Sequence, residues 1–139
     1  MNNHKSKGYE GKIALIVEDD PDCLEQVRSH LENVGFEVTT SETEAEAERL
    51  IAEKNFDLAI FDLMLEHKDS GFILSYKAKK RNSAMPVIII TCVASEAEIH
   101  FETAEADPMD WVKADAILDK QIRFEQLDRE IDRLLAVPA

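Results

Sequence analysis

Glu18 and Asp19 close the apolar run KIALIV (12–17), and Asp62 closes DLAIF (57–61). Thr91 ends VIIIT (87–91), and Lys120 follows AILD (116–119). Carboxylates gathered in one pocket repel and raise each other's pKa unless a cation joins them. A hard divalent ion with oxygen ligands answers that need, and Mg²⁺ binds through a few carboxylates while keeping waters and phosphate oxygens. Lys120 adds an ammonium and Thr91 a hydroxyl, a pair suited to an anion beside the metal. A phosphoryl group is the natural candidate. Singly, each residue has an ordinary explanation: a hydrated strand-end acid, a β-branched strand residue, a solvated lysine. The joint pattern, each at the end of its own run and in chain order, favours the functional reading.

The elements that must position them alternate. KIALIV reads as a strand, and Asp20-Pro21 supplies an N-cap and a first-turn proline. Leu24, Val27, Leu31 and Val34 follow at helical spacing, and Gly35 is placed to end the helix. FEVTT (36–40) reads as a shorter, more polar strand. Ser41 with Glu44 has capping-box spacing for a helix running to about Lys54, with Ala47, Leu50 and Ile51 inward. DLAIF is a third strand; a helix from Gly71 through FILSYKAKKR ends before Met85-Pro86. VIIIT is the most β-branched run and the deepest strand expected. Ser95 with Glu98 predicts a further helix through His100 and Phe101. AILD is a short fifth strand, and a last helix presents Phe124, Leu127, Ile131 and Leu134 on one face. Five strands alternating with five helices, three of the strands apolar throughout, predict an α/β fold: a parallel sheet covered on both faces. In such a sheet ligands bind beyond the carboxyl ends of the strands, where these five residues stand.

A net charge of −13 over 139 residues argues against a nucleic-acid surface, which needs clustered Lys and Arg. Neither a run of eighteen apolar residues nor an N-terminal apolar leader occurs, so no membrane contact is expected and a cytoplasmic location is. Cys23 and Cys92 lack metal-like spacing and read as reduced thiols. Residues 1–11 are polar and read as a flexible lead-in to one domain over 12–137, with no output domain.

From Lys12 to Leu135 the chain resembles a response-regulator receiver domain of two-component phosphorelays. ALIVEDDPDCLEQV is similar to that family's first strand and helix, FDLMLEHKDSG to its phospho-acceptor loop, PVIIIT to its fourth strand, and ADAILDKQIRFEQL to its fifth strand and lysine. The resemblance implies a doubly wound, flavodoxin-like (βα)5 domain with strand order 2-1-3-4-5. It implies that Asp62 is the phospho-acceptor and that Glu18, Asp19, Asp62 and the backbone carbonyl of Met64 hold Mg²⁺. Thr91 and Lys120 would bind the phosphoryl oxygens, and that pull would shift the neighbouring strand ends and surface. Implied partners are a sensor histidine kinase or phosphotransfer protein and a downstream protein, with the domain monomeric or weakly dimeric. The implied function is a switch and no enzyme, beyond taking up a phosphoryl group and slowly losing it.

Four departures stand out. The loop between Asp62 and Gly71 carries an extra residue and the unusual pair Glu66 and His67. Gln121 replaces the proline that usually follows the lysine; a cis bond before a non-proline residue costs about 2.5–4 kcal/mol. Ile117 replaces a frequent aromatic. The segment between Thr91 and Lys120 is long, with Lys113 a second candidate lysine and Trp111, with Ile117, on the expected partner surface. Two other readings compete. One is a degenerate receiver that binds protein without phosphorylation. The other is a haloacid-dehalogenase-type phosphohydrolase, which needs a general acid two residues after its nucleophile, where this chain has Met64.

Overall fold

A computed structural model describes residues 9–65, 69–91, 114–119 and 123–135. Along the chain lie β1 (Ile13–Val17), α1 (Pro21–Asn33), β2 (Glu37–Ser41), α2 (Glu44–Glu53), β3 (Leu58–Asp62), α3 (Ser70–Arg81), β4 (Val87–Thr91), β5 (Ala116–Asp119) and α4 (Phe124–Leu135). The strands form one parallel sheet in the order β2-β1-β3-β4-β5. A parallel sheet is what the alternation predicts, and the strand order is the doubly wound one the resemblance implies, with β4 and β5 at the predicted residues. Among the described residues no helix is long and apolar enough to cross a membrane.

Alternate side chains of each strand point to opposite faces, so the sheet divides the core in two. On one face Ala14, Ile16, Leu58, Ile60, Ile88, Ile90 and Leu118 pack against Val27 and Leu31 of α1 and Leu127 and Ile131 of α4. On the other, Leu15, Val17, Ala59, Phe61 and Val87 meet Ala47, Leu50 and Ile51 of α2 and Leu74 and Ala78 of α3. β3 and β4 are buried at every position, as strands covered by helices on both sides must be.

Two local expectations are corrected. Thr43, not Ser41, caps α2: its side chain accepts from the Glu46 N–H at 3.2 Å. Ser41 instead ends β2, in register with Val17, and its hydroxyl donates to the Thr43 carbonyl. Both Ser41–Glu44 and Thr43–Glu46 have the capping-box spacing, and pairing with β1 decides between them. The second correction concerns the lead-in. Residues 9–11 of it are structured: Tyr9 is buried and stacks on Phe36 with ring centroids 4.9 Å apart, and its hydroxyl donates to Asp132 on α4. Gly35, at φ +117°, makes room for this segment. A Cβ there would stand 3.1 Å from the Glu10 nitrogen.

Burial and the Asp132 carboxylate both hold the Tyr9 hydroxyl protonated, pushing its pKa well above the ordinary 10. A group whose folded pKa is raised contributes stability below its unfolded pKa and loses it as pH rises beyond. Tyr9→Phe should therefore cost about 1–2 kcal/mol at neutral pH and reduce the decline in stability above pH 10, read by urea denaturation across that range. An unchanged neutral-pH midpoint would contradict the assignment.

Candidate functional site

The site is assembled by the register of β1 and β3. Val17 pairs with Phe61, so the next residue of each strand, Glu18 and Asp62, emerges at the same rim. Glu18 is fully buried, and its backbone N–H donates to the Ser41 carbonyl at 3.0 Å, prolonging the β1–β2 ladder by one step. Its carboxylate accepts from the Asp20 N–H at 3.0 Å. Asp20 also caps α1, accepting from the Asp22 N–H at 3.1 Å, so the turn that aims Glu18 is the turn that starts the helix. Asp19 lies between them and is exposed.

Asp62 is only 3% exposed. It is the last residue of β3, paired with Ile90 of β4, and the following N–H, that of Leu63, donates to the Ile90 carbonyl at 2.8 Å. One Asp62 carboxylate oxygen accepts from the Met64 N–H at 3.3 Å, closing a tight turn after the strand. Glu18, Asp19 and Asp62 each bring one carboxylate oxygen to a common point, all within 4.8 Å of one another. Three hard oxygen donors, two of them buried, suit a divalent cation. Without one, their like charges would be held together against repulsion.

The loop from Asp62 returns to α3 through a contact absent from the sequence reading. Gly71 N–H donates to the Leu63 carbonyl at 2.8 Å, and a Cβ at Gly71 would stand 2.7 Å from the Leu63 Cα. Ser70, fully buried, donates to Glu44 of α2 at 2.7 Å, and Ser75 to the Gly71 carbonyl. The only signal for this in the sequence is the glycine at the start of α3.

Thr91 is buried at the end of β4, on the same rim, paired with Asp119 of β5. Ile117 is half-buried in β5. Met64 is 40% exposed beside the acids. Lys120, which directly follows Asp119, lies outside the described residues, as do Glu66, His67, Trp111, Lys113, Gln121 and the helix expected from Ser95.

A comparison with known families decides what kind of domain carries this cup: the response regulator receiver domain matches residues 14–132. The chain belongs to that family. Among curated relatives, the receiver is 32% identical over 90 residues to the transcriptional regulatory protein GltR of Pseudomonas aeruginosa, covering 63% of this chain and 37% of GltR. It is 29% identical over 133 residues to the transcriptional activator protein PfeR of the same organism, covering 91% of this chain and 43% of PfeR. The receiver thus spans less than half the length of these two relatives. A CheY-like receiver domain protein from Methanospirillum hungatei is 30% identical, with a TM-score of 0.74, over 90% of this chain and 94% of that one. The Thermotoga maritima response regulator TrrA, solved with Mg²⁺-BeF, shares the fold at 24% identity and a TM-score of 0.72, over 88% and 98% of the two chains. This is a signalling-switch family of two-component systems, and the acid cup is a divalent-metal candidate within it.

Proposed function

We propose that this receiver takes a phosphoryl group on Asp62 in a Mg²⁺-dependent reaction and thereby alters its affinity for a partner protein. The observation that carries the reading is the convergence of Glu18, Asp19 and Asp62 within 4.8 Å at the carboxyl ends of β1 and β3. Those three carboxylates and the backbone carbonyl of Met64 would hold the ion. Bound there, Mg²⁺ supplies charge neutralisation for both the acids and the incoming phosphoryl oxygens.

An Asp62 carboxylate oxygen attacks the phosphorus of a phosphohistidine, on a sensor kinase or phosphotransfer protein, or of a small phosphodonor. A new P–O bond forms as the P–N or P–O bond to the donor breaks. The imidazole or carboxylate leaves with the bonding electrons, giving an acyl phosphate. Asp62, fixed by the β3–β4 ladder and the turn to Met64, is held in place for in-line attack. Thr91 would donate its hydroxyl to a phosphoryl oxygen, and Lys120 would pair with another. Those contacts exist only in the loaded state, so they favour one conformation of the β4 and β5 ends. A coupling of about 1–3 kcal/mol suffices for a five- to 150-fold change in partner affinity. Ile117, and Trp111 with it, belong to the surface proposed to meet the partner. Water attack on the acyl phosphate would reset the switch, which proposes a cytoplasmic relay component rather than a turnover enzyme. Met64, where a hydrolase of the rival class needs its general acid, cannot transfer a proton.

Incubation with Mg²⁺ and acetyl phosphate should add one phosphoryl group, read by intact-mass measurement. The gain should vanish in Asp62→Asn and when the metal is chelated. Absence of any gain in the wild-type chain favours a binding module that does not use phosphate, and multiple turnovers of a phosphate ester would favour a hydrolase.

A further inference from the structure

Cations gather at one place on the sheet's other rim. α2 and α3 end where β3 and β4 begin, at the far end of the strands from Asp62. Lys54 caps the end of α2, and the C-terminal half of α3 holds Lys77, Lys79, Lys80 and Arg81, a concentration of cations in a chain of net charge −13. Two of them are committed: Lys77 to Glu48 across the helix pair at 2.9 Å, and Lys79 to Asp115 at 2.8 Å. Lys54, Lys80 and Arg81 are exposed and have no carboxylate partner among the described residues. Lys54 sits 5.8 Å over the Phe56 ring, Lys80 5.8 Å over that of the half-exposed Tyr76, and Arg81 reaches Asn55 at 3.4 Å. These contacts are made by the cationic heads to neutral groups, so they leave the charges uncompensated by any carboxylate among the described residues.

Between the two helices runs a groove of about 390 Å³, lined by the exposed Ala52, the edge of the almost fully buried Ile51, and Glu48, Lys77, Lys80 and Arg81. Apolar surface beside the unpaired Lys80 and Arg81, with Glu48 neutralised by Lys77, selects its occupant by charge and shape together. A nucleic acid is a poor occupant, since the long run of phosphates it brings would meet a chain of net charge −13. We propose that this α2–α3 groove docks a short acidic segment of a partner protein, an apolar side chain on Ile51 and Ala52 and flanking carboxylates on Lys80 and Arg81. The groove is separate from the acid cup, so this docking stands whether or not Asp62 accepts phosphate.

The probe is a fluorescein-labelled peptide Asp-Glu-Leu-Asp-Glu, with Asn-Gln-Leu-Asn-Gln as the neutral control. Binding is followed by anisotropy and by amide shifts of the full chain. The expected result is shifts confined to residues 48–55 and 76–81, with affinity on the order of tenfold weaker when ionic strength rises from about 0.05 to about 0.5 M. Lys80→Glu with Arg81→Glu should abolish binding, and Lys80→Gln with Arg81→Gln should weaken it, with melting temperatures unchanged. Equal binding of the neutral peptide, shifts elsewhere, or no binding would overturn the proposal. So would a chain whose own self-association, read by sedimentation, depends on Lys80 and Arg81, since the occupant would then be a second copy.

Discussion

Asp62→Asn is expected to end phosphoryl uptake while raising the stability of the metal-free protein. The two effects have one cause. Three carboxylate oxygens lie within 4.8 Å of one another, and Glu18 and Asp62 are buried. At that separation two unit charges repel by roughly 3.5 kcal/mol at an effective dielectric of about 20. Asp19 is exposed, so water screens part of this. A gain of about 1–2 kcal/mol is expected once the amide removes one charge. Magnesium should reverse the ranking. A ligand that binds only the folded chain contributes about 2.7 kcal/mol at a hundredfold excess over its Kd, and the wild type should gain that while the variant gains little. Thermal melts with and without Mg²⁺ read both terms. A variant less stable than the wild type without metal, or equally stabilised by it, would remove the basis for a shared cation.

Gly71→Ala should destabilise the fold by about 2–3 kcal/mol and slow phosphoryl uptake by an order of magnitude or more. Helix propensity alone predicts the opposite, a gain of roughly 1 kcal/mol for alanine. Steric conflict wins here because the added methyl would meet backbone: the Leu63 Cα at 2.7 Å and the Asp62 carbonyl oxygen at 2.9 Å. Neither can swing aside as a side chain could. The strand end is held by the Leu63 N–H to Ile90 carbonyl bond, so the strain passes into the segment that aims the Asp62 carboxylate. Unfolding in urea and the rate of mass gain from acetyl phosphate measure the two consequences. Wild-type values for both would show that the contact relaxes without touching the acceptor.

The parts of this domain that could be read from sequence are those in which one residue's type and neighbours suffice. VIIIT and AILD are β4 and β5 residue for residue: the first is β-branched throughout, and the second is a short apolar run too brief for a helix and placed where the alternation calls for a strand. Glu18 and Asp62 were recognisable because a charge at the end of such a run needs a reason. What eluded the sequence depends on long-range pairing. Nothing local distinguishes the Ser41 from the Thr43 capping box; register with Val17 does. Tyr9 stands alone among polar residues, and its burial follows from Phe36 and from Asp132, 123 positions away. Gly71 reads as a helix start, whereas its lack of a side chain serves the Asp62–Leu63 backbone lying against it.

All three acids issue from β1 and β3, neighbours laced together by Ala14–Leu58 through Val17–Phe61, with α1 and α4 on one face and α2 and α3 on the other. The three candidate ion ligands therefore all come from the N-terminal part of the chain. Apart from β5 and Lys120, the stretch after β4 supplies none of these groups and can drift in length and composition under selection for new recipients. A domain so divided can be rewired to a different listener without relearning how to be loaded.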